Sequence, residues 1–156
     1  VGDRDLVRPA RALAGGKALC WKVAQKPGKP LFVARLRNCL VFGLPGNPAS
    51  VFTCFYEYVF PALRRMSGFR YPYLHREAAR IGTEIKPDQK KILFLKARTA
   101  LDEKEKTVTP LGSQGSHMIS SLQEANCFIL IPPSRKTIEK GEKVRVDLLP
   151  VGNGAL

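Results

Sequence analysis

Lys22, Lys26 and Lys29 stand in one short stretch of the chain, and Gly43-Leu-Pro-Gly-Asn-Pro-Ala-Ser50 follows a little further on. Lys22 and Lys26 are four residues apart, so on an extended strand both side chains point to one face, with Lys29 in the turn beyond. Three ammonium groups crowded together repel unless an anion lies among them. The plainer reading is a solvated hairpin edge, which lysines commonly decorate. The glycine and proline stretch has the pattern of strand, tight loop and helix. Asn47 is a good N-cap, and Pro48 suits the first helical turn, where its missing N–H costs nothing. The free N–H groups of such a helix start face the loop and favour an anion. Gly43 and Gly46 let a ligand approach the backbone, while Pro45 and Pro48 stiffen the loop beforehand. A purely structural corner fits the same residues. No Gly-Lys-Ser/Thr follows, so the stretch is not a Walker loop.

Other groups with chemical potential are sparser. Asp3 and Asp5 precede a helical pattern, as ordinary helix-dipole partners do. Ser116 and His117 lie in an exposed connection, but no acid is placed to complete a catalytic triad with them. The run Gly112-Ser-Gln-Gly-Ser116 reads as an oxyanion or phosphate cradle, or as a flexible turn. Cys20, Cys39, Cys54 and Cys127 are far apart without a Cys-x-x-Cys pair, which argues against a zinc site. Each sits in an apolar run, where a buried, reduced thiol is expected.

The elements that must position these groups fall into two sets. A turn and a helix with Leu6, Ala10 and Leu13 on one face end at Gly15-Gly16, and this abrupt opening reads as the continuation of something longer. Lys17 to Ala24 has the content of a buried strand, Lys26 to Pro30 forms a rigid basic turn, and Leu31 to Leu36 resumes strand character. Cys39 to Phe42 is a short strand feeding the loop, and Ala49 to Met66 is a broadly apolar helix, with a kink expected at Pro61. Tyr56 and Tyr58 are read as packing residues. Tyr71-Pro-Tyr73 is a linker. Beyond it, strands are expected at Glu77 to Ile85, Lys91 to Leu101, Thr107 to Pro110, Cys127 to Ile131 and Lys143 to Leu149, with a short helix at Ser116 to Ala125. The fold class is α/β followed by all-β, with residues 71–156 forming a small barrel or sandwich.

Composition bounds the function. The 156 residues are 44% hydrophobic, enough for a real core. No run of 18 apolar residues and no signal-peptide layout is present, so a cytoplasmic protein without membrane contact is expected. The net charge of +13 implies an anionic partner. Residues 1–70 hold 12 Lys/Arg against Asp3, Asp5 and Glu57, a net +9, and residues 71–156 hold 14 against 10 acids, a net +4. Positive charge is therefore concentrated beside the glycine and proline loop. Nucleic acid is disfavoured as the partner, because Phe52, Phe55, Tyr56, Tyr58 and Phe60 follow a helical pattern rather than a stacking platform.

Four stretches, taken in order and spacing, resemble one family. They are Val1-Gly-Asp-Arg-Asp5, Trp21-Lys-Val-Ala-Gln-Lys-Pro-Gly-Lys-Pro30, Gly43 to Ser50, and Gln114-Gly-Ser-His117 followed by Ala125-Asn126. The chain is similar to the C-terminal part of molybdopterin molybdenumtransferases, the group of bacterial MoeA and of gephyrin's C-terminal domain. The resemblance implies that residues 1–70 end a three-layer α/β molybdopterin-binding domain and that residues 71–156 form a C-terminal β-barrel. It implies insertion of molybdate into adenylylated molybdopterin with release of AMP, assisted by Mg2+, in a homodimeric full-length protein. It assigns Asp5 to an acidic, metal-holding position, Lys22 and Lys26 to functional lysines, and Ser116 to a functional serine. Lys96 falls where the family usually has Arg, keeping the charge but not the bidentate fork. Gly43, Pro45, Gly46, Asn47 and Pro48, with Lys29, would wall the pterin phosphate. The first residues of the motif containing Asp5 are missing here, so this stretch alone is expected to be inactive. A non-catalytic, gephyrin-like scaffold that binds a peptide is the alternative, and a basic nucleic-acid module is a more distant one.

Overall fold

A computed structural model describes residues 15–102, 105–112, 120–134 and 136–150. Strands β1 (Lys17–Trp21), β3 (Phe32–Leu36) and β4 (Cys39–Gly43) form an antiparallel sheet in the order β1-β3-β4. The β3–β4 hairpin closes tightly, with Leu36 opposite Cys39 and Arg37 at φ 52° in the turn between them. The expectation of a buried strand at residues 17–24 does not hold. All five residues of β1 are exposed, the strand ends at Trp21, and Lys22 adopts φ 63°. Apolar content gave the strand, but β1 is a sheet edge that no described element covers. For the same reason Cys20 and Cys39 are exposed rather than buried, whereas Cys54 and Cys127 are buried as expected.

The long helix begins as read. Asn47 caps α1 (Pro48–Cys54), its Oδ1 accepting from the Ala49 N–H at 3.0 Å and the Ser50 N–H at 3.3 Å. The kink expected at Pro61 is resolved as a π-helical turn, Phe55–Val59, before α2 (Phe60–Met66). Proline has no N–H, and its ring crowds the carbonyl four residues earlier. Widening the preceding turn lets the Phe60 N–H reach the Phe55 carbonyl instead.

The remaining strands are β5 (His75–Ile81), β6 (Ile92–Asp102), β7 (Glu105–Pro110), β8 (Cys127–Ile131) and β9 (Lys143–Leu148), with α3 (Ser120–Glu124) before β8. They close into a five-stranded barrel through the order β6-β7-β5-β9-β8 and the further pairing of β6 with β8. The expected strand at Glu77 to Ile85 begins at His75 and stops at Ile81, and Ile85 forms only an isolated bridge to Ile138. The expected helix is helical over Ser120–Glu124, and its start at Ser116 lies outside the described residues. Inside the barrel lie Ile81, Ala97, Val108, Cys127, Ile129, Ile131 and Val146. On its outer face Phe94, Phe128 and Leu130 pack against Phe52, Tyr56 and Phe60 of the helix. The period of two along β8 thus serves two cores, and all five of its residues are buried. Each such Ile, Leu or Phe contributes about 1.5–3 kcal/mol of burial.

One element belongs to neither set in sequence. Strand β2 (Gln25–Lys26) lies between β1 and β3 in the chain, yet it pairs in parallel with Ile92 and Leu93 of β6. The lysine stretch is therefore no simple hairpin. Its tip is grafted onto the barrel, and Lys22 and Lys26 do not share one extended strand.

Candidate functional site at the end of the three-stranded sheet

Trp21, Phe32 and Gly43 stand in register across the three strands. Beyond that line, at the same end of the sheet, lie the loop 22–31 with its lysines and the loop 44–47. Two stretches separated in sequence are thus brought together by strand register alone. Lys22, Lys26 and Lys29 are exposed, as are Gly46, Asn47 and Pro48, while Gly43 and Pro45 are half-buried. The Lys22 ammonium lies 4.2 Å from the centroid of the Trp21 ring, a cation–π contact that holds it at the strand end.

The loop 22–31 is fixed by its own backbone and by one buried network. The Lys22 N–H donates to the Leu31 carbonyl at 3.0 Å, and the Val23 N–H to the Lys29 carbonyl at 2.9 Å. Gln25 is 1% exposed. Its Nε2 donates to the Pro27 carbonyl at 3.0 Å and to Cys54 Sγ at 3.7 Å, and its Oε1 accepts from the Tyr58 hydroxyl. Cys54 Sγ donates in turn to the Gly28 carbonyl at 3.7 Å. Burial pushes the Cys54 thiol up to about 11 and the Tyr58 hydroxyl up to about 12, so both keep the protons they donate. Gly28 sits at φ 92°, and a Cβ there would fall 2.6 Å from Cys54 Sγ and Gln25 Nε2. Glycine is required on both counts. The Ile92 N–H donates to the Ala24 carbonyl at 3.0 Å, which ties the loop to the barrel. Sequence reasoning named the lysines but missed this support. The Pro27-Gly28 turn signal was its only trace, and Tyr58 was read as packing alone.

The helix start differs from its expected role. Pro48 has no N–H, the Ala49 and Ser50 N–H groups are taken by the Asn47 side chain, and the Val51 N–H donates to the Asn47 carbonyl at 2.9 Å. The first turn has satisfied its own donors, so an anion here meets lysines and loop backbone rather than a bare helix end.

Lys96 lies on β6, 3% exposed, opposite Phe128 on the outer barrel face, and burial lowers its ammonium pKa. Asn126 is structural: its side chain accepts from the Thr99 N–H at 2.8 Å and donates to the Thr99 carbonyl at 3.2 Å. Asp5 and Ser116 lie outside the described residues. Among the described residues, no group of three or more His, Cys, Asp or Glu is placed to hold a metal ion. Asp88, which feels the charge of Lys26, already accepts from the Lys90 and Lys91 N–H groups through Oδ1, at 2.8 and 3.0 Å. The described donor set suits an oxyanion and does not by itself fit a divalent cation.

A second polar cluster sits where helix meets barrel. Asp147, 1% exposed, receives two bonds from Arg76, at 2.6 and 2.8 Å. Glu57, on the π-helical turn above, is pushed up to about 7, by burial first and then by Asp147, against the pull of Arg76 and Arg145.

The chain matches two family models. Residues 1–65 match "Probable molybdopterin binding domain" and residues 78–149 match "MoeA C-terminal region (domain IV)". Residues 78–149 thus belong to the MoeA C-terminal region, preceded by a molybdopterin-binding match. Among curated relatives, the molybdopterin molybdenumtransferase of Haemophilus influenzae is 31% identical over 94% of this chain and 37% of its own length. That of Bacillus subtilis is 30% identical over 99% of this chain and 36% of its own length. A solved MoeA structure from Pyrococcus horikoshii superposes with a TM-score of 0.75 at 28% identity, covering 92% of this chain and 34% of that one. The chain therefore spans about a third of the length of these MoeA relatives. β2 lies inside the first family match and β6 inside the second, so the graft between them joins the two matched regions.

Proposed function

We propose that this chain is the C-terminal part of a molybdopterin molybdenumtransferase that inserts molybdate into adenylylated molybdopterin and releases AMP. The observation that carries the reading is the register line Trp21, Phe32, Gly43, which sets the lysine loop and the glycine and proline loop side by side. Both substrates are anions, and cleavage of the phosphoanhydride leaves negative charge on both products. Lys22 and Lys26 neutralise that charge, Lys29 adds to the field, and Gly43 to Pro48 shape the wall against the pterin phosphate. The Gln25, Gly28, Cys54 and Tyr58 network holds the lysines in place before substrate arrives, so little reorganisation is needed during the reaction. Lys96, already stripped of water, adds a cation whose pull on an oxyanion is strengthened by its surroundings.

Asp5 and Ser116 belong to the same proposal, Asp5 as the holder of Mg2+ and Ser116 as a contributor from the barrel. Magnesium held there would supply neutralisation of the charge on the substrate phosphates. The division into residues 1–70 and 71–156, a homodimeric parent and a cytoplasmic location complete the reading. No helix among the described residues is long and apolar enough to cross a membrane. The test is molybdate-dependent AMP release by the full-length parent with Lys22→Ala and Lys26→Ala. Each substitution should lower turnover by about 10²-fold, the usual effect of losing one oxyanion-stabilising group. Unchanged turnover in both would end the proposal.

A further inference from the structure

The lysine loop is anchored at one buried point. Strand β2 is only Gln25 and Lys26, and the two side chains take opposite sides, Gln25 buried and Lys26 exposed. Pairing with Ile92 and Leu93 of β6 holds their backbone from one side. From the other side the long helix reaches the Gln25 amide through Cys54 and Tyr58, which are four residues apart and so share a helix face. Among the largest fully buried side chains of the described residues, Gln25 is the one that carries an amide. An apolar residue would fill the space without needing any partner, so a buried amide is a costly choice unless its bonds set a geometry.

The order of donors in this network has one solution. The carbonyls of Pro27 and Gly28 can only accept, so Gln25 Nε2 and the Cys54 thiol must donate to them. That turns Gln25 Oε1 toward the helix, where the Tyr58 hydroxyl is its donor. Reversing the amide would set Oε1 against the Pro27 carbonyl. The same two carbonyls belong to the turn that separates Lys26 from Lys29, and that of Gly28 also accepts from the Leu31 N–H at 3.1 Å. Lys22 is held by different contacts, the Trp21 ring and the Leu31 carbonyl.

We propose that Tyr58 is a positioning residue for Lys26, its hydroxyl locking the Gln25 amide so that β2 stands in one place between the long helix and the barrel. This deepens, and rests on, the reading of Lys26 as a group that neutralises substrate charge. Tyr58 meets no substrate in this scheme and acts through Gln25 alone. Deleting its hydroxyl leaves Gln25 Oε1 buried without a donor, which the amide relieves only by drawing away from Pro27 and Cys54 or by admitting water. Either way β2 loses its attachment to the helix and Lys26 its fixed place. Lys22 keeps its own.

The test is a double-mutant cycle on molybdate-dependent AMP release by the full-length parent. Tyr58→Phe should lower turnover per folded molecule about tenfold, the effect of a displaced rather than a deleted cation. In a Lys26→Ala background the same change should cost less than about twofold, and in a Lys22→Ala background its whole effect should remain, because groups that act through one another fail to add. Tyr56→Phe, the same deletion two residues earlier, should leave turnover unchanged. A second measurement needs no activity. Proton–nitrogen correlation spectra of the chain should show the Gln25 side-chain N–H pair protected from water, and Tyr58→Phe should abolish that protection and shift the Lys26 amide but not the Lys22 amide. Circular dichroism checks that the variants fold. Equal losses in both lysine backgrounds, or an unmoved Gln25 signal, overturn the proposal and leave the functional reading standing. If Lys26→Ala alone leaves turnover unchanged, that reading falls and takes the proposal with it.

Discussion

The two sheets among the described residues are both built largely from antiparallel strands, yet they are covered in opposite ways. In the barrel, β8 is buried along its whole length, inner residues in one core and outer residues under the helix. In the three-stranded sheet, β1 is exposed along its whole length. The barrel carries its stability internally. The sheet leans on one helix, one glutamine network and a two-residue graft to β6. The lysines proposed to do the chemistry are placed on the thinner structure, where anions can reach them, and are steadied by the thicker one. Binding groups commonly sit on such loops over a rigid scaffold.

This contrast predicts that barrel variants lose stability with little change in chemistry, and loop variants the reverse. The largest effect should come from Arg76→Ala, which strands the buried Asp147 carboxylate. Denaturant unfolding should show a loss of about 3 kcal/mol, the lower end for a broken buried pair because the Arg76 side chain is itself half exposed. Turnover of the full-length parent per folded molecule should be unchanged, and a matching fall in turnover would blur the contrast.

Glu57 should give the next largest effect, and it depends on pH. Its carboxyl is raised from the ordinary 4.5 to about 7, so between those values the unfolded chain gives up a proton that the folded chain keeps. Stability should therefore fall as pH rises through that window and level off above it, by about 2–3 kcal/mol in all. Glu57→Gln should flatten the profile and raise the melting temperature at alkaline pH. A profile unaffected by that substitution would show that Glu57 is not the titrating group.

Gly28→Ala tests the loop from the other side. The added methyl would press on Cys54 and Gln25 at a positive φ, costing about 1–3 kcal/mol. Hydrogen exchange at the Lys22 and Val23 amides should quicken and AMP release by the parent should drop, while the barrel amides stay protected. Uniform exchange changes would contradict the independence of the two sheets. Asn47→Ala should be the mildest, about 1 kcal/mol for a lost cap. It would also free the Ala49 and Ser50 N–H groups, so any change in phosphate affinity would report whether the helix start can serve an anion when uncapped.

How much of this was legible in the chain depended on how local each cause was. The strand Cys127 to Ile131 was readable residue by residue, because five consecutive apolar residues between Asn126 and Pro132-Pro133 admit little else. The Asn47 cap was readable from side-chain type. The exposure of β1 was not, since apolar content cannot say whether anything covers a strand. The graft of Gln25 and Lys26 onto β6 was invisible, because a two-residue strand has no periodicity and its partner is distant in sequence. The candidate lysines could be named from their spacing, but not the reason they hold position. That reason is a tertiary contact between Gln25, Gly28, Cys54 and Tyr58. The left-handed backbone of Lys22 broke the extended geometry on which the spacing argument relied.

The unequal covering of the two sheets also divides the four thiols into reactive and silent pairs. Cys20 and Cys39 are free and exposed on the outer strands of the small sheet, while Cys54 and Cys127 are buried and pushed up to about 11 and about 12. The unaltered chain can therefore take a maleimide dye or a spin label at two defined places without removing any cysteine. A label at Cys20 would sit next to the register line of the candidate site, and one at Cys39 at the far end of β4. Their spectra would follow whatever settles on the open sheet, with the barrel left unmarked as an internal reference.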